Sequence, residues 1–210
     1  MMKKIWPAKP VPLRVVPAAL LAVVAPFFVL VLTSHPALAH VSQGTESGFV
    51  SGFRHPLGGA DHFLAMFAVG IWGAQMGGRS ILTLPVTFPL VMAVGGLSGM
   101  MGIPLPDVEL GIALSILALG AVILFAWRPI EPVALLLIAV FAICHGYAHG
   151  VELPRAADPT EYAVGFVVAT GLIHVLGIGV GLVLDKPFGG RLAKALGGAI
   201  SACGVYFLAT

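Results

Sequence analysis

The residues best equipped for chemistry in this chain are imidazoles and carboxylates gathered at two points of an otherwise apolar sequence. The first point is Arg54-His55-Pro56-Leu57-Gly58-Gly59-Ala60-Asp61-His62, at the mouth of an apolar run that continues through Phe63-Leu64-Ala65-Met66. Pro56 and the Gly58-Gly59 pair propagate a helix poorly, so His55 is expected on an irregular turn that folds back toward the helix start. Asp61 and His62 then fall in or near the first turn. A carboxylate there is favoured by the positive end of the helix dipole, and with His55 it can converge on one divalent cation. The plainer reading makes Asp61 a helix cap and the histidines interfacial polar groups. An H-x5-D-H cluster opening a hydrophobic span argues for the metal instead.

The second point is Cys144-His145-Gly146-Tyr147-Ala148-His149-Gly150-Val151-Glu152. His145, His149 and Glu152 are spaced i, i+4, i+7, which places three potential ligands on one face if the helix persists that far. A further imidazole, His174, lies about 18 Å into a later apolar segment at 1.5 Å per residue, near mid-membrane. An ionisable group there is costly and is a functional candidate, with a hydrogen-bonded core histidine as the alternative. Imidazole and carboxylate donors suit Ni²⁺, Co²⁺, Zn²⁺ and Cu²⁺, whereas a thiolate- or Met-rich set would suit Cu⁺; spacing does not rank the four. Protons compete for the same nitrogens, so binding should weaken as pH falls through about 6.5. Cys144 and Cys203 form no recognisable motif, and Met66, Met76 and the other methionines read as packing.

Composition says which elements must carry these groups. With 59% apolar and 10% charged residues over 210 positions and a mean hydropathy of +1.03, the chain has too little polar surface for a soluble globule and belongs in a bilayer. The predicted fold class is all-α: a polytopic membrane helix bundle of six transmembrane helices after a cleavable N-terminal signal peptide. Lys3, Lys4, Lys9 and Arg14 precede the apolar run from Val15 to Leu32, and Ala37-Leu38-Ala39 supplies small residues for a signal peptidase. An uncleaved first span is the alternative, disfavoured by Pro17 and Pro26. Residues 1–39 are thus read as the signal peptide and 40–210 as one six-helix domain. Removing the four basic residues leaves seven Lys/Arg against nine Asp/Glu, so the formal charge moves from +2 to −2 and nucleic-acid binding finds no support. Cleavage would leave His40 first, where its amine and imidazole together could chelate a metal.

The six segments are expected near Ala60 to Met76, Ile81 to Met101, Leu110 to Trp127, Pro132 to His149, Tyr162 to Leu184 and Leu192 to Leu208. With an outer N-terminus, Arg79, Arg128, Lys186, Arg191 and Lys194 fall on the cytoplasmic side and only Arg54 and Arg155 outside, as the positive-inside rule asks. The first segment then enters from outside and the fourth leaves to the outside, so both polar clusters lie at one level and can share a site. Gly73/Gly77, Gly95/Gly99 and Gly177/Gly181 read as small-xxx-small pairs for close helix packing.

At this point the residues resemble a known family. His55-Pro56-x-x-Gly59-x-Asp61-His62 and His145-Gly146-Tyr147-Ala148-His149-Gly150-Val151-Glu152 are similar to the paired signatures of HupE/UreJ proteins, a bacterial group of nickel and cobalt permeases associated with hydrogenase and urease maturation. Cys144 stands where family members usually carry Phe. The resemblance implies that His55, Asp61, His62, His145 and Glu152 line a metal path, and the preference for Ni²⁺ comes from it alone.

The expected function is therefore a secondary permease in the bacterial inner membrane, with the mature N-terminus periplasmic. Its partners would be a divalent transition-metal ion and the lipid bilayer; a homo-oligomer or further membrane subunits are left open. The ion is cargo, and no resident cofactor is expected. There is no G-x-x-x-x-G-K-[ST] loop for ATP hydrolysis. An inward-moving double charge gains about 4.6 kcal/mol per 100 mV, enough to drive uptake without other coupling. The alternatives are an intramembrane zinc hydrolase, which lacks an H-E-x-x-H, and a metal-binding sensor or subunit that transports nothing by itself. A photoreceptor is less favoured still, since no lysine lies deep inside a span, Lys194 standing at the cytoplasmic end of the last one.

Overall fold

A computed structural model describes residues 48–153, 158–185 and 187–210, all within one compact unit. The signal peptide expected over residues 1–39, and His40 with it, lie outside the described residues. Every regular element among the described residues is helical. In chain order they are α1 (Gly48–Gly58), α2 (Ala60–Met76), α3 (Ser80–Met100), α4 (Val108–Leu124), α5 (Glu131–Val151), α6 (Pro159–Asp185), a single 3₁₀ turn (Pro187–Gly190) and α7 (Arg191–Ala209). Each of the six expected apolar segments is a helix. Helices α5 and α6 extend beyond the expected limits, and α4 stops at Leu124.

Helices α3, α5, α6 and α7 are long and apolar enough to cross a membrane, and α1 with α2 makes a fifth candidate span, broken by an 80° bend. Helix α4 has 17 residues, at the short limit of roughly 17–25 for a spanning helix. The outward faces fit a lipid solvent. Leu82, Val86, Leu90, Val94 and Leu97 form an exposed apolar stripe along α3, and Val164, Val167, Val168, Leu172, Val175 and Leu176 do the same on α6. The polar groups are turned the other way: His62, Gln75, Ser80, Ser115, His145, His149, Thr170 and His174 are all buried.

His55 corrects the expectation of an irregular turn, because it lies within α1 despite Pro56. A proline near the end of a short helix leaves one carbonyl unpaired but need not stop it, and here tertiary packing supplies what propensity does not. Gly48 and Gly52 let α1 lie directly on the α6 backbone at Asp158 and Tyr162, and Gly165 of α6 receives Phe49. The break falls one residue beyond Gly58, at Gly59, whose extended conformation (φ −94°, ψ 114°) re-aims the chain into α2.

Glycines set the rest of the packing. Gly95 and Gly99 of α3 meet the α5 backbone at Ile143 and Tyr147, while Gly146 and Gly150 of α5 meet α3 at Met92 and Gly96. This register makes α3 and α5 parallel neighbours in very close contact. Gly70 of α2 and Gly177 and Gly181 of α6 lock those two helices in parallel, and Gly120, Gly197 and Gly204 lock α4 antiparallel to α7. Gly77 departs from its expected packing role: a methyl there would touch nothing, and its φ of +73°, followed by +56° at Gly78, shows that the pair makes the α2–α3 turn.

One end of the bundle gathers the starts of α2, α4 and α6 and the ends of α3, α5 and α7. The opposite end is fastened by a different set of polar groups. There Trp72 Nε1 donates to the Trp127 carbonyl at 2.9 Å, Gln75 Nε2 donates to the Ile123 carbonyl at 3.1 Å, and Thr83 Oγ1 donates to Glu131 at 2.6 Å.

Candidate metal site

Both sequence clusters meet at the first end. Helix α1 contributes His55, the start of α2 contributes Asp61 and His62, and the last two turns of α5 contribute His145, His149 and the capping Glu152. The close α3–α5 contact at Gly146 and Gly150 holds α5 in the rotation that turns His145 and His149 inward. Helix α5 ends at Val151, and Glu152 still continues its backbone geometry, with its N–H donating to the Ala148 carbonyl at 2.9 Å.

The groups fall into two layers. In the outer layer, one donor atom each from His55, His149 and Glu152 lies within 4.8 Å of the others. Two ligands on one ion at about 2.0–2.2 Å stand roughly 3–4 Å apart, so small side-chain rotations would close this trio on a cation. His55 Nε2 now sits 3.3 Å from Glu152 Oε2. That hydrogen bond, ahead of the burial that opposes it, holds the Glu152 carboxyl below the usual carboxylate range. A pocket of about 110 Å³ opens beside it, with Glu109 of α4 on its far wall.

The inner layer is made of imidazoles in ring contact. His149 is 4.6 Å from His55 and 4.5 Å from His62 between ring centroids, and His62 is 4.9 Å from His145. The hydrogen bonds around these rings fix where the free lone pairs are. Asp61 Oδ1 lies 2.8 Å from His62 Nδ1 and also accepts the His62 backbone N–H at 2.8 Å. A carboxylate can only accept, so Nδ1 carries the proton and His62 Nε2 keeps its lone pair, buried and without a partner. Ser115 Oγ gives its single proton to the Ile112 carbonyl at 2.6 Å, so at 2.9 Å from His145 Nε2 it must accept. His145 therefore presents a bare Nδ1, also buried and unpartnered, and both ring nitrogens of His149 are buried without a partner, one of them carrying the proton of the neutral ring and the other a free lone pair.

Asp61 is consequently occupied as the group that orients His62, in the manner of the carboxylate behind a metal-binding imidazole, and stands outside the outer trio. His174 stands apart as well. It lies just past the midpoint of the 27-residue α6, with Phe88 packed between it and His145 at centroid distances of 5.7 and 5.5 Å. Sequence reasoning did not single out Ser115, Phe88, Thr170, Tyr162 or Phe166. Ser115 had a signal, as the lone hydroxyl inside the apolar run of α4, and Thr170 had one in its place a single turn before His174. The aromatic walls had none. Cys144 Sγ lies over Gly111 of α4, and both cysteines are free thiols.

An apolar bundle that buries several imidazole lone pairs without partners is suited to receive a Lewis acid. Each orphaned group costs about 1–3 kcal/mol if nothing ever meets it. The family model described as HupE / UreJ protein matches residues 28–207. Protein HupE of Rhizobium leguminosarum bv. viciae is 40% identical over 174 residues, which cover 82% of this chain and 91% of that protein. No solved structure matches.

Proposed function

Because this chain belongs to the HupE/UreJ family, which is associated with hydrogenase and urease nickel accessory function, we propose that it is a secondary permease admitting Ni²⁺ or Co²⁺ through the bacterial inner membrane. The observation that carries the reading is the set of buried, unpartnered imidazole nitrogens on His62, His145 and His149 beneath the His55–Glu152 mouth. In this reading the imidazole end faces the periplasm. Glu109 and Glu152 draw the hydrated cation to the pocket, and His55, His149 and Glu152 replace part of its water. His149, shared between the layers, then passes it to His62 and His145. Asp61 offsets part of the charge through His62 while keeping Nε2 free. The short helix α4 crosses as the sixth span, covered along its length by α7, and the membrane potential supplies the inward drive.

A hydrolase finds less support, since of the two carboxylates nearest the imidazoles Asp61 is committed to His62 and Glu152 is itself one of the outer ligands, leaving neither as a general base. A sensor that binds without transport is separated by flux. Radioactive nickel uptake into proteoliposomes holding the purified chain under an inside-negative potential should exceed that of empty vesicles. His149→Ala should lower it at least tenfold while the protein remains inserted and monodisperse. Saturable nickel binding with no flux above empty vesicles would make the protein a sensor or subunit and overturn the permease reading.

A further inference from the structure

One turn of α6 holds a pair of polar atoms that the outer cluster does not use. Thr170 is fully buried and His174 is 2% exposed, and Thr170 Oγ1 and His174 Nε2 have no hydrogen-bond partner. At i and i+4 they share a helix face, with Cβ atoms about 6 Å apart. Threonine inside a helix ordinarily returns its hydroxyl to a carbonyl one turn back, and a buried histidine ordinarily finds an acceptor. Here both stay open, in a bundle interior with no bulk water to compensate. The backbone at this point is held firmly: a methyl on Gly70 would strike the His174 carbonyl, and one on Gly177 would strike Phe67. The ring is therefore seated by the tightest part of the α2–α6 contact.

We propose that Thr170 and His174 form a second, deeper cation station, separated from the outer imidazoles by Phe88, that takes a divalent transition-metal ion through one neutral nitrogen and one hydroxyl oxygen. With no carboxylate in the pair to offset the charge, the ion binds more weakly than at His55, His149 and Glu152. That ordering suits a station between capture and release. The transit role rests on the permease reading above, whereas the binding site stands or falls on its own donors.

Cobalt titration of the purified full-length protein in detergent, followed through the visible ligand-field bands of Co²⁺, tests it directly. The wild type should bind two equivalents, the second at least tenfold more weakly. His174→Asn should abolish the second and Thr170→Val, which preserves side-chain volume, should weaken it about tenfold, both leaving the first unchanged. His149→Ala should remove the first and spare the second. In nickel-loaded proteoliposome assays both α6 variants should slow flux severalfold at unchanged outer affinity. A single equivalent in the wild type, or a second one indifferent to both α6 substitutions, overturns the station. Two equivalents with no wild-type flux would support the station and overturn the permease reading instead.

Discussion

Replacing Gly150 by alanine removes no metal donor, yet it should damage the outer site more than most surface changes could. A methyl at this position would lie 2.9 Å from the Gly96 carbonyl carbon and 3.0 Å from its Cα, with the carbonyl oxygen closer still, where ordinary contact begins at 3.4 Å. All three atoms are backbone, so no side chain can swing aside. The end of α5 must move off α3 by on the order of 1 Å, because repulsion rises too steeply for less. His149 and Glu152 travel with it relative to His55 on α1, which disturbs a trio of donor atoms that now lie within 4.8 Å of one another. Disturbing the groups that hold ligands in place typically costs about 10–100-fold in metal affinity, or roughly 1.4–2.7 kcal/mol. Alanine also favours the helix by up to about 1 kcal/mol, so fold stability should change less than affinity. Calorimetric titration of nickel into Gly150→Ala in detergent should show that loss, with Gly179→Ala as the control, since a methyl at that exposed α6 position meets nothing within 4 Å. Wild-type affinity in Gly150→Ala would refute the argument that this glycine positions the site.

Two further outcomes follow from the hydrogen bonds around the cluster. Ser115→Ala frees His145 to change tautomer and should weaken nickel binding about tenfold in the same titration, with Ser115→Thr restoring most of it; equal affinity in all three would mean that the hydroxyl does not set the ring. The pH dependence is the second. The Glu152 carboxyl is held below its ordinary value by the bond from His55, so its contribution is present above about 4.5 and is lost only as pH falls below that. Glu152→Gln should therefore lower nickel affinity at neutral pH while leaving the acid-side decline, caused by protons competing for imidazole nitrogens, in place; loss of that decline in Glu152→Gln would put the carboxylate in control instead.

The clustering of candidate ligands was legible because few other polar residues interrupt the apolar runs. His55, Asp61, His62, His145, His149 and Glu152 stand out by type, and the positive-inside rule alone predicts that α2 begins and α5 ends on the same side. Their division of labour was not legible. The i, i+4, i+7 stripe suggests three equivalent ligands, but a helical turn rises about 5.4 Å, so His145 lies a layer below His149 and Glu152, and what each layer meets depends on which glycines bring α3 against α5. Gly146 and Gly150, flanking the histidines, were hidden inside the motif, while Gly77 satisfies the small-xxx-small spacing and serves a turn. Asp61 illustrates the same limit. Its type and position allow a ligand or a positioning group, and only the 2.8 Å approach to His62 Nδ1 distinguishes them. The helical state of His55 was hidden for a related reason, since local propensity at Pro56-Leu57-Gly58 opposes what contact with α6 enforces.

The order of donors along the bundle bears on how such a site can release what it captures. At the mouth, carboxylates and imidazoles act together, and a divalent ion there exchanges water for both charge and lone pairs. One layer in, the nearest carboxylate among the described residues is Asp61, acting through His62; past Phe88 the next buried donors are a neutral ring and a hydroxyl, well before the Gln75, Thr83 and Glu131 side chains of the far end. Each inward step thus offers a dication less compensation for the water it has shed, and the cost of holding charge in a low-dielectric interior rises as the donors weaken. On the permease reading, a path built this way would grip hardest at the mouth and loosen toward the side where the ion leaves. Its interior cost would be offset by the membrane potential, about 2.3 kcal/mol per elementary charge per 100 mV, so that the same double charge that makes a crossing expensive would also supply its direction.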